Sequence, residues 1–241
     1  MINEYGISSE SIEEFAKRNR FAASPKFPQN LKTKSEVNFE SSIPFLPIIG
    51  FENEDWNKMY QEADSLKEHY VPHRSGENHN GWSSLVIHGL SSVHTGSTTS
   101  YGYDSDNAPC KWTDVSEWCP TITKFFKSTF DYTKYRRLRI MKLAPGGYIR
   151  PHRDHLVEST SHIGPTNIAL NNPDNCYFHM DNIGILPFNQ GSIIKLNLYN
   201  VHAVYNQSKE NRYHIIAHGT QGESWENRIY DSYLHWKEIY S

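Results

Sequence analysis

The second half of the chain constrains the fold most. From residue 138 to 218 it is a succession of short runs rich in β-branched and aromatic residues, at 138–143, 148–152, 167–170, 176–180, 192–198, 201–206 and 212–218. Gly, Pro and Asn cut the runs apart, and those residues supply the dihedral angles that turns need. Many short strands at close spacing predict a sandwich or a barrel, a mainly β domain.

The first half reads differently. Ser11-Ile12-Glu13-Glu14 has the form of a capping box, which opens a short helix with Ile12 and Phe15 on one face. The following segment, 24–42, is polar and spotted with proline, so residues 1–42 are expected to form an N-terminal arm with one short helix. From Asn53 the apolar residues Trp56, Met59, Tyr60, Ala63 and Leu66 recur every three or four positions, the mark of an amphipathic helix ending before His69. A second helix is expected after Pro120, with Ile122, Phe125, Phe126 and Phe130 inward. Between them, 82–88 has the composition of a strand, and 91–106, rich in Ser, Thr, Gly and Tyr, is expected to be a long loop, either a lid or disordered. Residues 43–241 are expected to form a single domain.

Composition narrows the partners. At 241 residues, 37% of them apolar, the chain can bury one sizeable core. A net charge of −3 and the lack of any Lys/Arg block argue against nucleic acid and against an anionic membrane surface. Neither a signal peptide nor a run of transmembrane length is read at the start or elsewhere, so a soluble, cytoplasmic protein with a small-molecule or peptide partner is expected. Cys110, Cys119 and Cys176 are scattered, without a CxxC pair, and are read as reduced thiols.

The chemistry concentrates in "PHRDH", residues 151–155. His152 and Asp154 are two apart, so on an extended strand both leave the same face while Arg153 leaves the other. A third ligand must come from elsewhere, and His202 stands 50 positions on in a strand-like run. Two imidazoles and one carboxylate occupy one face of an octahedron and leave three positions open, the set used by non-haem Fe(II) oxygenases. Arg212 follows ten residues after His202 and suits a dicarboxylate cosubstrate, because guanidinium presents a planar fork to a carboxylate.

At these residues the sequence resembles the aspartyl/asparaginyl β-hydroxylase family of Fe(II)- and 2-oxoglutarate-dependent dioxygenases. That family carries His-x-Asp, a distal His, and an Arg about ten residues beyond. The likeness extends over 138–218, expected to be the metal-binding core. It includes Leu143-Ala144-Pro145-Gly146-Gly147, Ile168-Ala169-Leu170-Asn171-Asn172-Pro173, Gly191-Ser192 and His202-Ala203-Val204-Tyr205-Asn206. The chain keeps Asp154 and so is similar to the bacterial branch that includes free-amino-acid hydroxylases. The resemblance implies a double-stranded β-helix (a cupin-like jelly roll) with flanking N-terminal helices. It makes His152, Asp154 and His202 the iron ligands and Arg212 the partner of 2-oxoglutarate, with Asn167 near that cosubstrate and His214 placed to help anchor it. The implied reaction takes O2 and converts 2-oxoglutarate to succinate and CO2 as a C–H bond of an amino acid, free or peptidyl, is hydroxylated.

Strand parity and proximity add Trp82, His88, Arg139, Arg150 and Arg153 as residues bordering the substrate, and against the family's pattern 157–166 looks like an added loop beside the metal. Other readings remain at this stage. Asp154 suits a turn or a cap, Arg212 a solvent-facing strand position, and the same fold serves cupin-type metal-binding proteins and isomerases that do not use 2-oxoglutarate. Arg212 separates the last class, which has no use for an arginine beside the distal histidine.

Overall fold

The computed structural model describes residues 2–3, 6–24, 27–39, 42–74, 79–104, 107–130, 132–154 and 165–240. Two short helices, α1 (Ile12–Arg18) and α2 (Lys34–Phe39), lead into strand β1 (Phe45–Ile48). The box at Ser11 forms as the sequence predicts: Glu14 N–H donates to Ser11 Oγ, and the Ser11 N–H donates to the Glu14 carboxylate. α3 (Trp56–Ser65) follows, capped by Asp55, and then β2 (Val71–Pro72) and β3 (Asn80–Gly89). After β4 (Lys111–Trp112) come α4 (Val115–Trp118) and α5 (Pro120–Ser128). The remainder is β5 (Tyr132–His152), β6 (Thr166–Ala169), β7 (Cys176–Met180), β8 (Gly184–Ile185), β9 (Ile193–Leu196), β10 (His202–Asn206), β11 (Arg212–Gln221) and α6 (Glu223–Ile239).

The strands run in the order β1-β9-β6-β11-β5-β10-β7-β8, every neighbour antiparallel, with β3 added beside β5. β5 gives the sheet its shape. Its first part pairs with β11 and β3, and its last part, beyond Ala144-Pro145-Gly146-Gly147, pairs with β10. One strand thus belongs to both walls of a curled sheet, the double-stranded β-helix. The corner needs glycine: Gly146 has a φ of 70°, and a Cβ on Gly147 would come within 2.7 Å of Ala144 O and 2.9 Å of Asn80 O.

Helices cover one face. Trp225 of α6, Phe51, Phe125 of α5 and Phe130 meet at ring-centroid distances between 4.2 and 6.0 Å, and burying such rings contributes about 2–3 kcal/mol each. The inside of the curl is apolar at one end, where Phe45, Leu143, Ala169, Phe178 and Leu196 pack together. At the other end it opens into a cavity lined by polar side chains.

Expected strands and observed strands agree closely, with two differences. The runs 138–143 and 148–152 belong to one continuous β5, because the glycine corner bends the ladder without ending it. The C-terminal helix α6 was not anticipated, nor was α2 within the arm. α6 has a weakly segregated pattern in which Trp225, Ile229 and Tyr233 are buried among many polar residues. The 91–104 part of the long loop is ordered, with a 3-10 turn at Thr98–Tyr101. The proposed added loop at 157–166 lies outside the described residues except for Pro165 and Thr166.

Candidate metal centre and cosubstrate pocket

Antiparallel pairing brings the histidines together. His152, the last residue of β5, and His202, the first of β10, are register partners, with ring centroids 4.3 Å apart. Asp154 lies just beyond, its N–H donating to Leu198 O at 3.1 Å, and its Oδ1 is 3.4 Å from His152 Nε2. One ligand atom from each of the three lies within 4.8 Å of the others. Both rings are oriented from behind: His152 Nδ1 donates to Arg150 O at 2.8 Å and His202 Nδ1 to Asn200 O at 3.0 Å. A carbonyl only accepts, so Nδ1 carries the proton and Nε2 presents its lone pair, the tautomer a metal ligand needs.

Electrostatics agrees with that assignment. Burial, and then the neighbouring His152, pushes His202 down to about 4, so the ring is neutral at physiological pH. Burial works against the charge on Asp154, yet the adjoining His152 and His202 outweigh it and hold the carboxyl well below its usual range.

Arg212 begins β11 and is buried. Its Nη2 donates to His214 Nδ1 at 2.7 Å, and its Nε lies 3.4 Å from Asn172 Oδ1. Among the described residues no carboxylate pairs with it, and burial pulls it down to about 10. Because arginine only donates, His214 accepts at Nδ1 and carries its proton on Nε2, and that Nε2 is buried with no hydrogen-bond partner. A buried cation and a buried orphan N–H on one wall are costly unless an anion completes them.

One cavity joins these groups. His152, Asp154, His202, Arg212, His214 and Asn167 all line it, as do Trp82 and Arg139 from the expected substrate set. Three expected substrate residues do not. His88 packs on Trp112 and Tyr135, at 5.2 and 5.9 Å, toward the helices. Arg150 turns to the arm, where Nη2 donates to Ser8 O at 2.9 Å, and Arg153 lies over the Tyr199 ring. For His88 and Arg150 strand parity misled for a physical reason: β-bulges between Val86 and His88, and opposite His202 and Val204, insert an extra residue and change which side chains face inward. Reading from sequence missed His73, Arg74, Arg137 and His218, which line the cavity. The pairs His218–Arg137 and His214–Met141 follow from β5–β11 register, which the sequence does not reveal.

A curled antiparallel β-helix with two histidines and a carboxylate at its open end, and an arginine in the same cavity with no acidic partner among the described residues, is the arrangement an oxygenase of the double-stranded β-helix class would use. Residues 53–221 match the model of the Aspartyl/Asparaginyl beta-hydroxylase family. The chain belongs to that family, and the protein is a hydroxylase. No curated protein matches the sequence. Among solved structures, a prolyl-4-hydroxylase from Pseudomonas putida is 11% identical, over 78% of this chain and 99% of its own, with a TM-score of 0.43. An oxidoreductase of the 2OG-Fe(II) oxygenase family from Burkholderia pseudomallei is 12% identical, over 84% and 97%, with a TM-score of 0.44. A prolyl hydroxylase from Trichoplax adhaerens, solved with a hypoxia inducible factor peptide fragment, is 12% identical, over 76% and 85%, with a TM-score of 0.46. Likeness this remote says nothing of this chain's substrate.

Proposed function

We propose that the protein is an Fe(II)- and 2-oxoglutarate-dependent dioxygenase that hydroxylates an amino acid, free or within a peptide. The observation that carries the reading is the shared cavity: a two-histidine, one-carboxylate set at one wall and, at another, a buried arginine with no carboxylate partner among the described residues. His152, Asp154 and His202 would hold the iron. Arg212 would take the distal carboxylate of 2-oxoglutarate, with the orphan Nε2–H of His214 as a further donor, while Asn167 lines the same cavity four residues along the ladder, beside Ile216. Bound iron and 2-oxoglutarate supply the oxygen chemistry, in which O2, 2-oxoglutarate and a substrate C–H yield succinate, CO2 and C–OH.

The side chains of this chain prepare the site. The carbonyls of Arg150 and Asn200 fix the two rings, so little rotamer freedom is lost when a metal binds. Arg212 is held by Asn172 and His214 in advance of its ligand, which lowers the cost of ordering it. Phe178, stacked 5.6 Å from His202, helps with Val204 and Ile149 to keep one side of the cavity apolar.

Fe(II)-dependent conversion of 2-oxoglutarate to succinate tests the reading, in wild type and in Arg212→Ala. We expect succinate from the wild type and a KM for 2-oxoglutarate about 30- to 100-fold higher in the variant, as losing a charge-assisted pair costs about 2–3 kcal/mol. Iron binding without any succinate would contradict the proposal and favour a metal-binding protein of cupin type.

A further inference from the structure

The cavity has a second cationic end that the metal and the cosubstrate do not use. Along β5, Arg137 and Arg139 face inward and pair with His218 and Ile216 of β11. Ile216 is four residues from Arg212, so Arg139 sits roughly 13 Å along the strand from it. The two guanidinium groups also bond to different residues, Arg212 to Asn172 and His214 and Arg139 to Thr95, so they mark separate ends. Arg139 is buried; its Nη1 donates to Thr95 O at 2.7 Å, its Nη groups lie 3.5 and 3.4 Å from His73 Nε2 and His218 Nε2, and its Nε has no partner. Arg137 donates to Gly96 O.

These are weak acceptors for one buried and one half-buried guanidinium group. Both histidines are neutral: burial, and then Arg139, takes His73 down to about 2, and burial with Arg137 and Arg139 holds His218 far below its usual range. Arg74 lines the same end, and Asp154 is the one carboxylate among the described lining residues. Iron and doubly charged 2-oxoglutarate cancel each other, so their binding leaves this positive excess in place. Met141 lies between the two ends on β5, and Ile149, Phe178, Val204 and Ile216 line the same cavity, apolar surface suited to a hydrocarbon segment.

We infer that the Arg137–Arg139 end is the anion subsite for the substrate, and that the substrate carries a carboxylate there while its apolar part lies toward the metal. The inference rests on the iron and 2-oxoglutarate reading of the other end. The carboxylate has two sources, the α-carboxylate of a free amino acid or the side chain of an acidic residue in a peptide. In either case it displaces or shares the carbonyls of Thr95 and Gly96, so the ordered 91–104 segment borders the bound substrate.

The test is the melting temperature of the full chain loaded with Mn(II) and 2-oxoglutarate, with three sets of probes. These are the free amino acids, their carboxamides, and end-blocked tripeptides centred on Asp or Glu. We expect at least one carboxylate-bearing probe to stabilise the protein and its amide counterpart, the amino-acid carboxamide or the tripeptide centred on Asn or Gln, to fail. A hit among the free amino acids assigns an α-carboxylate, and one among the blocked tripeptides a side-chain carboxylate. Arg139→Gln and Arg137→Gln should weaken that binding about 10- to 100-fold while leaving the stabilisation by 2-oxoglutarate alone intact. Arg139→Lys, which keeps the charge, guards against loss of fold and should retain part of the effect. Equal stabilisation by carboxamides, unchanged binding in both Gln variants, or no stabilising probe would each overturn the inference. Absence of any stabilisation by 2-oxoglutarate itself would instead count against the reading of the Arg212 end.

Discussion

At the scale of single residues, the site depends on side chains whose partners lie behind them. His152 and His202 are aimed by backbone carbonyls, and Asp154 by the Leu198 carbonyl that takes its N–H. His152→Ala and His202→Ala should each weaken Fe(II) binding by more than the roughly 10- to 100-fold that loss of an outer partner costs a metal site, measured by anaerobic equilibrium dialysis. Retention of wild-type affinity by either would remove that residue from the ligand set. Lys195 offers a contrasting use of burial. It is enclosed, its Nζ donating to Asn38 O and Oδ1 at 3.0 and 2.7 Å, and burial pulls it down to about 7. The unfolded chain therefore binds this proton up to the ordinary lysine range while the folded chain releases it near pH 7, so wild-type stability gains as pH rises from 7 toward 10. Lys195→Met should flatten that rise in a denaturation series; an identical slope in the variant would refute the assignment.

At the scale of elements, the corner of β5 and the turn before β11 set the cavity's shape. Asn206 is wholly buried, and its Nδ2 donates to Leu143 O, Ala144 O and Glu210 O between 2.8 and 3.1 Å, tying the corner to the turn that delivers Arg212. Asn206→Ala leaves those carbonyls unpaired and is expected to cost about 3 kcal/mol. Gly147→Ala, whose Cβ would meet backbone oxygens, should destabilise by about 2 kcal/mol. Chemical denaturation reads both, and a cost under half of either figure would mean the corner is not held this way. Much of this was legible beforehand. The His-x-Asp, the distal His and the following Arg are local patterns, and alternation along short strands marked out most of the β-helix. His88 and Arg150 were misread because a bulge leaves no mark in alternation. α6 went unseen because its buried residues sit among charges. Arg137 and His218 escaped because their role exists only in the register of two strands 80 residues apart.

For the molecule as a whole, the N-terminal arm closes on the metal strand from outside. Ser8 N–H donates to Pro151 O at 2.9 Å, and Arg153 N–H donates to Gly6 O at 2.7 Å. Ile12 and Phe15 of α1 pack with Val201 and Ala203 next to His202. Deletion of residues 1–10 should leave circular dichroism little changed yet speed iron loss several-fold, since the arm supports the strand and not the fold's core; an unchanged off-rate would deny it that role. The proposed function puts iron at the His152–Asp154–His202 face and 2-oxoglutarate at Arg212 of one cavity. Anaerobic optical titration of the Fe(II)-loaded protein with 2-oxoglutarate tests this most directly. The account predicts a weak visible charge-transfer band in the wild type, reached only at much higher 2-oxoglutarate in Arg212→Ala and absent in His202→Ala. An iron-loaded wild type that develops no band, or a band indifferent to Arg212, would contradict it.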